Sequence, residues 1–123
     1  MKRKILIIDD SISQGKITKK FFESYGYAVV ALDSPEEALY ILDWENFDAI
    51  ITDLRMPWMN GADFCRRIRA IKPDTLIYAL SGYIDKFDLN ELGEAGFDRL
   101  FSKPIRIDLI RDAIEEDLKN IGG

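Results

Sequence analysis

Three acidic residues stand at the ends of two short apolar runs of the sequence. Asp9 and Asp10 follow the run 5–8, and Asp53 follows the run 49–52. Both runs are rich in β-branched residues, which is typical of strands buried on both faces. Because the carboxyl ends of parallel strands line one edge of a sheet, we expect the three carboxylates to lie close together there. They repel one another unless a hard cation such as Mg²⁺ lies between them, so the pattern predicts a site for a divalent metal and a phosphoryl group.

A hydroxyl group and an ammonium group follow two later apolar runs. Ser81 and Gly82 end the fourth predicted strand, and Lys103 and Pro104 end the fifth. In a parallel sheet both strands end at the same edge as the acids, so the site gains a hydroxyl and a lysine. A Ser-Gly pair alone is usually a turn, and a single lysine is usually solvated, so the prediction depends on the whole set.

Five short strands alternate with five helices along the chain. The strands are predicted at 4–9, 28–32, 48–52, 75–80 and 99–102. The helices are predicted at 12–25, from Ser34 as N-cap through 42, at 60–70, at 85–95 and at 105–119. In the first helix Ile17, Phe21 and Tyr25 recur every four residues and predict one apolar face.

This alternation predicts an α/β fold, in which a five-stranded parallel sheet lies between two layers of helices. The flavodoxin-like strand order 2-1-3-4-5 is the leading topology. It places the first and third strands side by side at the point where the strand order reverses. Asp9, Asp10 and Asp53 are expected to meet at that point.

The overall composition excludes several classes of function. The length of 123 residues suits one domain, and the net charge of −5 argues against nonspecific nucleic-acid binding. Apolar runs stop far short of the roughly 20 residues that a membrane span needs. The single cysteine, Cys65, excludes an internal disulfide and favours a reducing, cytoplasmic setting. The sequence contains no histidine, which excludes a histidine metal site, a histidine general base and a phosphohistidine on this chain.

The ordered set of motifs resembles the receiver domain of two-component response regulators, the family of the chemotaxis protein CheY. The motifs that carry the resemblance are Asp9-Asp10, Asp53 followed by Met56-Pro57 and Gly61, Ser81-Gly82, and Lys103-Pro104. Each motif alone is weak, whereas all of them in this order, each at a strand end, are specific. The resemblance covers the whole chain and implies one CheY-like receiver domain over 1–123. Such a domain is a phosphorylation-dependent switch and not an enzyme, since it assists only its own phosphorylation and dephosphorylation.

The resemblance also implies a role for each group in phosphoryl transfer. Asp53 is the phosphoacceptor, a carboxylate nucleophile that forms an acyl phosphate. Lys103 is expected to pair with Asp53 and then with a phosphoryl oxygen, and Ser81 is expected to donate a hydrogen bond to another. The bond between Lys103 and Pro104 is expected to be cis, as in the family.

The metal ligands are implied in the same way. Mg²⁺ is expected to bind Asp10, Asp53 and the backbone carbonyl of Arg55, and Asp9 is expected to hold a metal-bound water. Arg55 and Tyr83 flank the path of a hydrolytic water in receivers. Neither offers a carboxylate or an amide to orient that water, so the resemblance predicts a slowly hydrolysing acyl phosphate.

The expected partners follow from the family as well. A sensor histidine kinase or a histidine phosphotransfer protein is expected to donate the phosphoryl group. It would dock on the first helix and on the loop after the fifth strand, a surface that includes Ser11, Gln14, Thr18 and Pro104. A downstream output protein or domain would bind the fourth helix, fifth strand and fifth helix, and a phosphorylation-dependent homodimer is compatible with the family. Neither nucleic acid nor a membrane is expected as a direct partner.

One residue departs from the family pattern. Receivers usually carry an aromatic residue three positions before the lysine of the fifth strand, and its ring swings inward on activation. The chain has Leu100 there and Phe101 next to it. Adjacent strand residues face opposite sides of a sheet, so Phe101 does not substitute. The departure puts the aromatic switch in question.

Two other classes of function remain as alternatives. The chain could be a receiver-like interaction module that never uses phosphorylation, which the intact set of acids, serine and lysine argues against. It could also be a small FMN-binding flavodoxin-like protein. The carboxylates of Asp9 and Asp10 would repel the phosphate of the flavin, so this alternative is less favoured.

Overall fold

The computed structural model describes residues 2–57, 59–82 and 87–122. The strands are β1 (Lys4–Ile8), β2 (Ala28–Leu32), β3 (Ala49–Asp53), β4 (Arg55–Met56), β5 (Met59–Asn60), β6 (Leu76–Ser81) and β7 (Arg99–Ser102). The helices are α1 (Ile12–Ser24), α2 (Pro35–Leu42), α3 (Gly61–Ile71), α4 (Leu89–Ala95) and α5 (Ile107–Gly122).

Five of these strands form one parallel sheet in the order β2-β1-β3-β6-β7. When the five are counted by themselves, this is the predicted order 2-1-3-4-5, so the fold prediction is confirmed. The other two strands, β4 and β5, form a short antiparallel pair in which Arg55 lies opposite Asn60. The sequence did not predict this pair, which follows directly after β3.

The core lies on both faces of the sheet, which explains why the strands are nearly continuous apolar runs. Alternate residues of β1 point to opposite faces: Leu6 and Ile8 pack with α2, α3 and α4, and Ile5 and Ile7 pack with α1 and α5. The two helical layers therefore bury the central strands β1, β3 and β6, whereas the edge strands β2 and β7 are partly buried. Among the described helices, none is both long enough and apolar enough to cross a membrane.

Local signals set the ends of the helices. Ser34 is the N-cap of α2, as the sequence predicts, with Pro35 in its first turn. Gly96 ends α4 in the left-handed region at φ 118°. The fourth helix was predicted from Asp85, which lies outside the described residues. The described helix begins at Leu89, because the side chain of Asp88 caps it. The fifth helix begins at Ile107, two residues later than predicted.

The predicted apolar face of the first helix is not the face that packs on the sheet. Ile17, Phe21 and Tyr25 are about half exposed, with relative exposures of 55%, 54% and 45%. The buried residues of α1 are Gly15, Thr18 and Phe22, an adjacent stripe with helical spacing. A single helix can carry two neighbouring stripes, and α1 turns the stripe that contains Phe22 toward the sheet.

Candidate active site

The three carboxylates meet at the ends of β1 and β3, as the sequence predicts. The two strands are paired, with Ile8 opposite Thr52, so the acids that follow them are neighbours. Asp9, Asp10 and Asp53 each offer an oxygen, and these oxygens lie within 4.8 Å of one another. Asp9 and Asp53 are buried and Asp10 is exposed, so the cluster opens to solvent on one side.

The surroundings of Asp9 disfavour the charged form of its carboxyl group. Burial raises the pKa of the Asp9 carboxyl, and the neighbouring charges of Asp53 and Asp10 raise the pKa further. The backbone N–H of Ser11, which donates to Asp9 Oδ1 at 2.9 Å, and the Lys103 ammonium act in the opposite direction. A carboxylate that is desolvated beside two others gains most from an additional cation, so this donor set suits a hard divalent metal.

Both oxygens of Asp53 are held in place. The backbone N–H of Arg55 donates to Oδ1 at 3.1 Å, and the ammonium of Lys103 donates to Oδ2 at 2.8 Å. The Lys103 Nζ also lies 3.8 Å from Asp9 Oδ2, so one cation faces two of the three acids. One group from β4 and one from the segment after β7 therefore fix the orientation of the buried carboxylate.

Ser81 and Lys103 are brought together by the pairing of β6 with β7. Ser81 lies opposite Ser102, and the backbone N–H of Lys103 donates to the Ser81 carbonyl at 2.9 Å. Ser81 is buried, and the residue before it, Leu80, lies opposite Asp53 in the sheet. The bond between Lys103 and Pro104 is cis, as the sequence predicts. Asp9, Asp10, Asp53, Ser81 and Lys103 therefore gather at one edge of the sheet.

The segment after Asp53 closes the site from the side of α3. Arg55 begins the β4–β5 pair, and its side chain is exposed. A Cβ atom on Gly61 would lie 2.8 Å from Leu54 Cδ2 and 3.1 Å from the Leu54 carbonyl oxygen, so only glycine fits there. Tyr83, which was expected to flank the water path with Arg55, lies outside the described residues.

The structure confirms that Leu100 and Phe101 face opposite sides of the sheet. Leu100 packs with the core on the side of α2, α3 and α4. Phe101 packs on the side of α1 and α5, where its ring centroid lies 5.5 Å from that of Tyr78. Phe101 thus contributes to the core beneath α5 and does not occupy the position of the family's aromatic residue.

The comparisons with known proteins agree with this arrangement. The family model of the response regulator receiver domain matches residues 5–115. The chain belongs to the response regulator receiver family. Sporulation initiation phosphotransferase F of Bacillus subtilis is 30% identical over 118 residues, and the match covers 96% of this chain and 95% of that receiver protein. Other matched relatives are longer, and the chain spans between 10% and 31% of their length.

Solved receiver structures share the fold. A CheY-like receiver domain from Methanospirillum hungatei has a TM-score of 0.87 and 25% identity, covering 98% of this chain and 96% of that one. A response regulator from Burkholderia pseudomallei, solved with a phosphorylated aspartic acid, a calcium ion and citrate, has a TM-score of 0.83 and 25% identity. That match covers 98% of this chain and 71% of the other.

The receiver fold also reveals a feature that the sequence analysis did not identify. The exposed stripe of α1 and the segment after β7 enclose a groove of about 620 Å³ next to Lys103. Its apolar walls are Ile17, Phe21, Tyr25, Pro104, Ile105 and Ile107. The signal was present, since the first three recur every four residues, but that period does not tell whether a stripe faces the core or a groove. We refer to this cavity as the α1 groove.

Proposed function

We propose that the chain is a phosphorylation-dependent switch that accepts a phosphoryl group on Asp53. The observation that carries the proposal is the environment of this carboxylate. It is buried beside two further acids, one of its oxygens accepts from the Lys103 ammonium, and the other accepts from a backbone N–H. In the transfer an Asp53 oxygen attacks phosphorus, the bond from phosphorus to the donor nitrogen breaks, and an acyl phosphate forms. The donor is left with a free histidine, and the chain carries the phosphoryl group.

Mg²⁺ is the metal that this donor set favours. Asp10, Asp53 and the backbone carbonyl of Arg55 would bind it directly, and Asp9 would bind it through a water molecule. The bound metal would neutralise charge on the phosphoryl oxygens. The calcium ion and phosphorylated aspartic acid of the related Burkholderia response regulator support the choice of a hard divalent cation.

Lys103 and Ser81 serve the phosphoryl group after transfer. The Lys103 ammonium, which pairs with Asp53 Oδ2, would then pair with a phosphoryl oxygen, since it carries three donors. The Ser81 hydroxyl would donate to another phosphoryl oxygen from the end of β6. The backbone hydrogen bond between the two residues keeps the ends of β6 and β7 together at the acceptor.

The donor is a protein that carries a phosphohistidine, either a sensor histidine kinase or a histidine phosphotransfer protein. The sequence itself has no histidine, and the related Bacillus protein is named a phosphotransferase. The α1 groove lies directly beside Lys103, so a donor seated there would bring its phosphohistidine toward Asp53. We propose further that residues 1–123 form one receiver domain whose α4, β7 and α5 face an output protein, an output domain or a second copy.

Labelling by a small phosphodonor tests the assignment of Asp53. Incubation with acetyl phosphate and Mg²⁺ should add one phosphoryl group to the chain, detected by intact-mass spectrometry. Asp53→Asn should keep the fold and remain unlabelled, because the amide has the same shape but is not nucleophilic. Equal labelling of this variant would refute the assignment. A wild-type chain that neither takes up phosphate nor binds Mg²⁺ would support the alternative, an interaction module that does not use phosphorylation.

A further inference from the structure

Gln14 connects the α1 groove with the phosphoacceptor site. Its side-chain oxygen Oε1 accepts a hydrogen bond from Lys103 Nζ at 3.2 Å, and the residue also lines the groove. The sequence assigns Gln14 only to the docking surface. The contact with Lys103 adds a role that neither the motifs nor the family match assigns to this position.

The Lys103 ammonium has three donors, and its surroundings show which acceptors use them. Asp53 Oδ2 lies at 2.8 Å and Gln14 Oε1 at 3.2 Å, whereas Asp9 Oδ2 lies at 3.8 Å, too far for a hydrogen bond. Gln14 is therefore a second hydrogen-bond acceptor for the ammonium. A lysine side chain is flexible, so a second acceptor restricts the positions that the charge can adopt.

Gln14 is itself well placed for this task. Its backbone N–H donates to the hydroxyl of Ser11, the N-cap of α1, at 3.3 Å. Its carbonyl accepts from the Thr18 hydroxyl at 3.0 Å. The N–H of Ser11 in turn donates to Asp9. The hydrogen bonds thus run from Asp9 through Ser11 and Gln14 to Lys103, and from there to Asp53.

We infer that Gln14 is a positioning residue, which holds the Lys103 ammonium at the place where it meets Asp53 and the incoming phosphoryl group. The inference rests on the proposed function, because it gives Lys103 its role in phosphoryl transfer. Gln14 acts through Lys103 and does not itself touch the acceptor carboxylate. Its position in the groove also means that a docked donor contacts the residue that orients the lysine.

A double-mutant cycle on the full chain tests this inference. Gln14→Met keeps the length of the side chain but removes the acceptor oxygen. With acetyl phosphate and saturating Mg²⁺, the initial labelling rate of Gln14→Met should fall by about three- to tenfold, the effect of one ordinary, solvent-exposed hydrogen bond. In a Lys103→Met background, Gln14→Met should cause no further loss, because the group through which it acts is gone. Gln14→Asn, which is one methylene too short to reach, should resemble Gln14→Met.

Ser24→Ala is the matched control, since Ser24 is an exposed serine at the other end of α1 whose hydroxyl donates to the Phe21 carbonyl. It should label at the wild-type rate. Circular dichroism and the Mg²⁺ dissociation constant of each variant check that the fold and the metal site are intact. A wild-type rate for Gln14→Met, or an equal loss in both backgrounds, would overturn the inference and leave the role of Asp53 standing. A wild-type chain that takes no label would instead refute the proposed function itself.

Discussion

Removing the charge of Lys103 should destabilise the metal-free protein, because this cation offsets the repulsion between Asp9 and Asp53. The oxygens of the two buried carboxylates lie within 4.8 Å, and Lys103 Nζ lies 2.8 Å from one acid and 3.8 Å from the other. At an effective dielectric constant of about 20, two like charges at this distance repel by about 3.5 kcal/mol. Proton uptake by one carboxyl relieves part of this repulsion. We therefore expect Lys103→Met to lower the free energy of unfolding by about 2–3 kcal/mol at pH 7.5 in EDTA.

Urea unfolding of four chains checks this value: the wild type, Lys103→Met, Asp53→Asn and the double variant. The same change in an Asp53→Asn chain should cost much less than in the wild type, because the repulsive partner is already neutral. Mg²⁺ should narrow the gap between Lys103→Met and the wild type, since a metal bound without a competing ammonium stabilises the variant more. A loss that is the same with and without the Asp53 charge, and that Mg²⁺ does not change, would show that Lys103 stabilises by packing and not by its charge.

Three further predictions concern the metal, the pH dependence and the docking surface. Asp10→Ala should weaken Mg²⁺ binding more than Asp9→Ala in a calorimetric titration, and a larger effect of Asp9 would reverse their assigned roles. Arg99 donates two hydrogen bonds to Asp117, at 2.9 and 2.8 Å, and lowers the pKa of that carboxyl, so the stabilisation is present at neutral pH and lost as the pH falls through the lowered value. Asp117→Asn should therefore lower the free energy of unfolding by about 1–3 kcal/mol at pH 7. The difference from the wild type should narrow in urea unfolding below about pH 4, and a difference that stays the same there would contradict this. Phe21→Ser should slow transfer from a phosphohistidine protein, whereas Tyr40→Ser, an exposed aromatic of α2, should not; equal rates for all three chains would exclude the α1 groove as the docking site.

The strands could be predicted from the local pattern of apolar residues, and their order could be predicted from the alternation of strands with helices. A run such as 5–8, apolar at every position, is a strand buried on both faces, and alternation with helices leaves few possible sheets. The β4–β5 pair could not be predicted, because two-residue strands carry no measurable period. The orientation of α1 could not be predicted for a related reason. Its two stripes lie side by side, and only tertiary packing decides that Phe22 faces the sheet and Phe21 the groove.

The candidate site could be predicted as a set of residues but not as a network. Strand ends gather at one edge, so the meeting of Asp9, Asp53 and Lys103 follows from topology alone. The contact between Gln14 and Lys103 joins residues that are 89 positions apart, on a helix and on a loop. No strand pairing links α1 with the segment after β7. The rotamers that bring Gln14 Oε1 and Lys103 Nζ within hydrogen-bond distance are set by the packing around them.

The two faces of β7 together limit how a change at the site can spread. On one face Leu100 takes the family's aromatic position, so there is no ring to swing inward. On the other face Tyr78 contacts Phe101 and donates to Asp117 of α5, and Arg99 binds the same carboxylate through two hydrogen bonds. These contacts fasten β7 to α5. At the end of β7, Lys103 donates to both Asp53 and Gln14, so one path from the acceptor leads to α1 and its groove.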